Sequence, residues 1–290
     1  MNKDRLLVLT GAGGRIGRSL IARVIGLTKW RIIAFSSSLD VDPAWGDRVH
    51  IHGNEEIDTL LPTLFDVDTC VHLAFSRRFK TNSEIALSLD FSAKLYKAAF
   101  ACGCRVINLS TVGVYGLNPS FPDENTKPAP DSLYSMAKYA SEVLMYSCFQ
   151  DSLVDTTNVR LSGIAQSQRV LPIFIENAKS KGVIQITGGK QQFSWIDIRD
   201  AVDALIALVA YDGKWRGVYN VSLDKRRFMI TDLAEVVASV AERKGYTKTE
   251  IIVTPSDDNP ICVGWSSEAF MQDTGWKPKV SIEETITDMF

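Results

Sequence analysis

The sequence predicts an α/β protein built on a doubly wound parallel sheet, and three observations carry that expectation. Short β-branched or apolar runs alternate with longer segments of helical spacing through the first half of the chain. A glycine-rich turn joins the first such run to the first helical segment. After residue 160 the alternation loosens, which predicts a smaller C-terminal lobe.

The runs are LLVL at 6–9, RIIAF at 31–35, RVHIH at 48–52, TCVHLA at 69–74, CRVINLS at 104–110 and 155–160. Between them, 83–101 places Ile85, Leu89, Leu95 and Ala98 at helical spacing, and a second helix is expected over 132–149. The loop 116–131, with Pro119, Pro122, Pro128 and Pro130, reads as an ordered connector. Further on, single helices are expected near 170–181, 197–211, 231–244 and 281–289. The expected domains are 1–160, which also receives 193–222, and the remainder of 161–290, a smaller discontinuous lobe.

Composition excludes several classes. A chain of 290 residues with 46% hydrophobic and 23% charged residues is long and apolar enough for a sizeable core. Its formal net charge of −2, with acids and bases interspersed, argues against nucleic acid or an anionic membrane as partner. The five cysteines show no zinc or disulfide spacing, and with only three histidines no metal site is expected. The apolar stretch Leu6–Leu9 is too short for a signal-peptide core, and no run reaches membrane-spanning length, so a cytoplasmic protein is expected.

Directly after the first strand comes Thr10-Gly11-Ala12-Gly13-Gly14-Arg15-Ile16-Gly17, followed by a helical pattern. In such a loop Gly11 would permit the tight turn, Gly14 would let the backbone approach a pyrophosphate, and Gly17 would let the helix pack on the strand. Its place at the first strand-to-helix junction points to a Rossmann-type dinucleotide site. An acid at the end of the second strand would accept hydrogen bonds from a ribose 2′-hydroxyl; here Phe35 is followed by Ser36, Ser37 and Ser38. Serines can donate to a 2′-phosphate and Arg15 could neutralise it, so NADP is favoured over NAD.

TGAGGRIG, the segment LSTVGVYG at 109–116 and Tyr134-Ser135-Met136-Ala137-Lys138 together resemble the extended short-chain dehydrogenase/reductase family of nucleotide-sugar epimerases, dehydratases and 4-ketoreductases. HLAF at 72–75, FSWIDIRDAVDA at 193–204, GVYNVS at 217–222 and TGWKPKVSIEE at 274–284 extend the likeness nearly end to end. The resemblance implies that Thr111 holds the substrate oxygen, that Tyr134 is the general acid/base, and that Lys138 binds the nicotinamide ribose and stabilises the tyrosinate. It also implies Gly11, Gly14, Arg15, Ile16, Gly17, Ser36, Ser37, Asn54, Leu73 and Ala74 around the cofactor, and Phe75, Val112 and Gly163 near the substrate. The physical logic stands beside it: positions i and i+4 share a helix face, and a phenol with an ordinary pKa near 10 exchanges protons at neutral pH only where positive charge favours its anion.

Departures narrow the reaction. The dehydratases of that family carry an Asp-Glu pair after the catalytic Thr, where this chain has Val112 and Gly113, so dehydration lacks its acid/base. Epimerase-reductases that invert neighbouring carbons need a Cys and His pair, and no histidine follows His72. The family's substrate-binding Asn and diphosphate-binding Arg are replaced by Gly163 and Gln191, and Arg169, Lys190, Arg77 or Arg78 would have to compensate. Asn54 stands where an adenine-contacting Asp is usual, and Asp90 where a structural Asn is usual. The expected activity is hydride transfer at one carbon of a sugar, nucleotide-linked by resemblance, as an NADP-dependent 4-ketoreductase. The alternatives are a 4-epimerase that retains NAD and, of another class, a non-catalytic dinucleotide-sensing regulator. The helices at 83–101 and 132–149 pair into a four-helix interface in relatives, which implies a homodimer.

Overall fold

The computed structural model describes residues 4–38, 40, 42–76, 82–117 and 121–290. Arg77, Arg78 and Pro119 therefore lie outside the described residues. The chain divides into two compact units: residues 1–116, 128–160 and 202–219 form the first, and 117–127, 161–201 and 220–290 the second. Residues 117–127, placed by sequence within the first domain, thus belong to the second unit. The Pro122 carbonyl there accepts hydrogen bonds from Asn220 and Ser266, which holds the segment.

The first unit is built on β1 (Leu6–Thr10), α1 (Arg15–Leu27), β2 (Arg31–Phe35), β3 (Val49–His52), α2 (Ile57–Leu60), β4 (Val67–His72), α3 (Asn82–Cys102), β5 (Arg105–Thr111), α4 (Leu133–Phe149) and β6 (Thr156–Leu161). The central sheet has seven strands in the order β11-β6-β5-β4-β1-β2-β3, the outermost, β11, being Val218–Val221. The β1-β2, β2-β3, β1-β4 and β4-β5 pairs are parallel. From β1 the chain winds one way through β2 to β3 and then the other way through β4 to β6. Right-handed crossovers put the connecting helices of the two halves on opposite faces, so this is a Rossmann-type doubly wound sheet. Accordingly α3 packs on α4, while Arg23 of α1 forms an ion pair with Asp203, 2.7 Å apart.

These strands read as near-continuous apolar runs because both faces are covered. Val8, Phe35, Cys70, Val106, Leu95 and Ala99 are fully buried in one cluster. At the strand starts, buried Arg5 pairs with Asp68 at 2.5 Å and Asp212 at 2.7 Å, and Arg105 joins Asp68 at 2.6 Å.

The second unit holds β7 (Gly163–Ile164), α5 (Val170–Ser180), β8 (Val183–Thr187), β9 (Gln192–Phe193), β10 (Trp195–Ile196), β12 (Phe228–Met229), α7 (Ile230–Arg243), β13 (Glu250–Thr254), α8 (Glu268–Thr274) and α9 (Ile282–Met289); α6 (Ile198–Ala210) runs from it into the first unit. Its core gathers Leu171, Phe174, Ile184, Leu233, Val237 and Ile286. The four helices expected here lie within a residue or two of their predicted spans, whereas the short strands and α8 were not anticipated. Among the described residues no helix is long and apolar enough to cross a membrane, and no cluster of His, Cys, Asp and Glu could hold a metal ion.

Candidate active site

Ligands of open parallel sheets bind beyond the carboxyl ends of strands at the point where strand order reverses, here between β1 and β4. The glycine loop leaves β1 and 73–76 leaves β4, and the two run against each other. Gly11 has φ +67°, and a Cβ there would lie 2.6 Å from the Ala74 nitrogen. Leu73 N donates to the Thr10 carbonyl at 3.2 Å. At Gly17 a Cβ would fall 2.5 Å from the Gly11 carbonyl, so only glycine lets α1 pack this closely. At Gly14 it would meet only that carbonyl, at 3.2 Å; the tighter constraint is at Gly13, where it would strike the Ser36 and Ser38 hydroxyls at 2.7 and 2.6 Å.

The site fits a dinucleotide on three observations. Helix α1 begins without a side-chain cap and without an acid in its first turn, leaving its N-terminal field to an anion. The Asn54 Oδ1 atom is buried with no hydrogen-bond partner among the described residues, an acceptor available to an amino group such as that of adenine. Ser36 to Ser38 follow β2 with no acid, and Arg18 reaches across to them, donating from Nε to the Gly13 carbonyl and from Nη2 to the Ser38 carbonyl, both at 2.9 Å. Arg15 and Ile16 open α1, Arg15 exposed and Ile16 half-buried. Sequence reasoning singled out Arg15 and passed over Gly13 and Arg18; the one-turn spacing of Arg15 from Arg18 was the available signal.

The other half of the site lies at the ends of β5 and the start of α4. Ser132 caps α4 by accepting from Ser135 N at 3.2 Å, so Tyr134 and Lys138 fall on successive turns of one face. Lys138 is buried, donates to the Leu109 carbonyl at 2.6 Å and sits 4.2 Å from the Phe75 ring centre. The Tyr134 ring meets Phe75 edge to face, centroids 6.3 Å apart, and is half-buried. Burial pulls Lys138 down to about 7, against which the charge of Glu142 acts upward. Beside it His72 bridges Thr10 (2.7 Å) and Ser92 (2.9 Å), and burial, then the Lys138 charge, lowers it to about 3, so it is a neutral structural link.

Thr111 ends β5, its Oγ1 accepting from Gly113 N at 3.2 Å. Val112, expected at the substrate, is only 3% exposed: the turn that follows β5 points its apolar side chain into the core. Behind the site Glu142 accepts from Ser110 Oγ at 2.5 Å and from Arg160 Nε and Nη2 at 3.1 and 2.7 Å, and Arg160 also donates to the Tyr115 hydroxyl at 2.9 Å. Glu142 and Arg160 were not anticipated; the signal was a charged residue one turn beyond Lys138 on an otherwise apolar helix face.

In the second unit, a Cβ at Gly163 would meet Gln168 Nε2 at 2.7 Å and Trp195 Cδ1 at 2.9 Å, so those side chains take the space an Asn would use. Gln191 folds back to donate to the Thr187 carbonyl at 2.8 Å. It lines a cavity of about 230 Å³ with Lys190, Ser256, Asp258, Asn259 and Ile261. Arg169 is exposed. Asp90 pairs with Lys94 on the exposed side of α3 at 2.9 Å, and Trp195, Trp215, Trp265 and Trp276 are all core residues.

The model of the NAD dependent epimerase/dehydratase family matches residues 7–222, and the chain belongs to that family. It is therefore an enzyme that works with a nicotinamide dinucleotide, an epimerase, dehydratase or reductase. An NAD-dependent glucose-6-phosphate dehydrogenase of Haloferax volcanii is 22% identical over 254 residues, covering 81% of this chain and 91% of that protein. A dTDP-4-dehydrorhamnose reductase of Mycobacterium tuberculosis is 26% identical over 214 residues, 71% of this chain and 66% of that protein. Among solved structures, the UDP-glucose 4-epimerase of Thermotoga maritima shares the fold with a TM-score of 0.77 at 22% identity, over 97% of this chain and 96% of that one.

Proposed function

We propose that this enzyme is an NADP-linked ketoreductase that moves hydride at a single carbon of a sugar, with Tyr134, Lys138 and Thr111 as its catalytic residues. The observation that carries the reading is that the Lys138 ammonium and the Tyr134 ring meet the same Phe75 side chain, one turn apart on α4, beside the end of β5. A bound reduced nicotinamide would supply the hydride. Thr111 Oγ1 already accepts an amide, so its O–H is left to donate to a substrate oxygen. Tyr134 donates the proton that completes reduction, and the positive charge of Lys138 favours the phenolate left behind. Gly11, Gly14, Arg15, Ile16, Gly17, Leu73 and Ala74 would hold the pyrophosphate end, Asn54 the adenine, and Ser36 and Ser37 with Arg18 a 2′-phosphate.

Dehydration is disfavoured by more than the missing acids. A Cβ at Gly113 would lie 2.6 Å from the Ser135 hydroxyl, and Val112 is buried, so neither position presents a side chain to a substrate. The sugar is nucleotide-linked in the related reductase by its name. The family's diphosphate-binding Arg is replaced by Gln191, so the substrate panel should include unlinked keto-sugars and sugar phosphates.

The test is turnover of NADPH with free, phosphorylated and nucleotide-linked keto-sugars, with Tyr134→Phe expected to lose about a hundredfold or more. Full activity of that variant ends the reading. Denaturing fresh protein and identifying the released nucleotide separates the alternatives: stoichiometric NAD indicates a 4-epimerase that retains its cofactor. The five cysteines are all free, in keeping with work in the reducing cytoplasm. Assembly as a homodimer is supported by Leu133, Met136, Val143 and Tyr146, a stripe along α4 in which each residue is 49 to 68% exposed. Sedimentation of Val143→Arg as a monomer and of the parent chain as a dimer is the expected outcome.

A further inference from the structure

We infer that Glu142 and Arg160 form a positioning pair that fixes the end of β5 and sets the charge of Lys138. The inference rests on the catalytic assignment above only for its consequence in turnover.

The geometry has two parts. Glu142 lies one turn beyond Lys138 on α4 and is 4% exposed, and the Arg160 side chain on β6 is 5% exposed. The carboxylate takes the Ser110 hydroxyl on one oxygen together with Arg160 Nε, and Arg160 Nη2 on the other. Ser110 stands between Leu109, whose carbonyl receives the Lys138 ammonium, and Thr111. One carboxylate therefore pins the strand end that holds both Lys138 and Thr111. Arg160 in turn stacks over the Tyr115 ring at 4.9 Å and bonds its hydroxyl, which ties down the turn after Thr111.

The second part is electrostatic. Lys138 loses hydration on burial, and the carboxylate one turn away opposes that loss. Arg160 neutralises that carboxylate through two hydrogen bonds, so removing the arginine is expected to strengthen the carboxylate's field at Lys138. The other groups around the pair are His72 from β4, Tyr96 from α3, Tyr134 on α4 and Tyr115 in the turn after β5. His72 stays neutral, and Tyr96 is raised first by burial. A buried ion pair whose only role is to join α4 to β6 would not distinguish the sign of its members.

The experiment uses full-length protein labelled with 13C at the lysine ε-carbon, the Lys138 resonance being identified by its loss in Lys138→Met. Glu142→Gln keeps the shape and the Ser110 contact but leaves Arg160 uncompensated, and the Lys138 midpoint should fall by about one unit or more. Arg160→Met leaves the carboxylate uncompensated, and the midpoint should rise; Arg160→Lys, which keeps the charge, should restore it. Midpoints unchanged in both Glu142→Gln and Arg160→Met, or moved in the same direction, overturn the inference. If Arg160→Met does not fold, Glu142→Gln decides alone, an unmoved midpoint being fatal. Because the titration needs no substrate, it stands apart from turnover. Loss of activity in Tyr134→Phe together with unmoved midpoints removes only this inference, whereas moved midpoints with an active Tyr134→Phe remove only the catalytic reading.

Discussion

Lys138 places its buried ammonium 4.2 Å from the centre of the Phe75 ring, with the Leu109 carbonyl as its hydrogen-bond acceptor at 2.6 Å. One carbonyl and one aromatic face offset only part of the hydration an ammonium loses, and burial brings Lys138 down to about 7 from 10.5. Between those values the unfolded chain binds a proton that the folded chain does not, so stability rises with pH through this window. The penalty is complete below the folded value and fades as pH climbs toward the unfolded one. Lys138→Met should therefore raise the melting temperature by several degrees at about pH 6 and by much less at about pH 9, read by calorimetry. A gain that does not shrink with pH would show that the folded lysine titrates normally.

Arg18 joins the two loops that would meet a 2′-phosphate, with one bond to the glycine loop and one to the Ser38 carbonyl. It is exposed, so its charge is open to a ligand. Arg18→Ala should weaken NADPH about tenfold, since a charge-assisted bond is worth about 1.5–3 kcal/mol, while leaving NADH within about twofold. Fluorescence titration of both nucleotides checks this. Equal losses would assign Arg18 to loop folding rather than to cofactor choice.

The parts legible in the sequence were those with a periodic or local signal. Strands β1 and β2 are largely apolar runs buried at four of five positions, β3 to β6 mix polar residues into theirs, and the pairing of Tyr134 with Lys138 follows from i, i+4 spacing on α4. Strand β8 was not anticipated although it carried a signal, since Val183 to Thr187 alternates with Ile184 and Ile186 inward and Gln185 and Thr187 outward. Strands β7, β9, β10 and β12 have two residues each, too few for any period. Val112, placed near the substrate by the family resemblance, has a buried side chain, and the turn direction that buries it is set by tertiary packing. Arg160 and Glu142 meet across 18 positions, and nothing local joins them.

Asn54 carries a buried carbonyl oxygen with no partner among the described residues, which costs the apo protein about 1–3 kcal/mol. If adenine satisfies that oxygen, Asn54→Ala should weaken dinucleotide binding about fivefold and leave the unfolding temperature of the apo protein unchanged or raised. Calorimetric titration with NADPH beside thermal melts gives both numbers. A lowered apo melting temperature with unchanged affinity would make Asn54 a structural residue.

Gly113 is glycine because of Ser135. A Cβ at 113 would lie 2.6 Å from the Ser135 hydroxyl, itself bonded to Ser132, the residue that caps α4. Relief requires the Ser135 hydroxyl to rotate away from Ser132, or the first turn of α4, which carries Tyr134, to shift. Gly113→Ala should therefore cost about 1–3 kcal/mol and lower turnover more than it lowers NADPH affinity. Ser135→Ala removes the colliding oxygen, and in that background Gly113→Ala should cost less, with a coupling of about 1 kcal/mol in a double-mutant cycle. Additive losses in urea unfolding would mean that Gly113 and Ser135 do not compete for space.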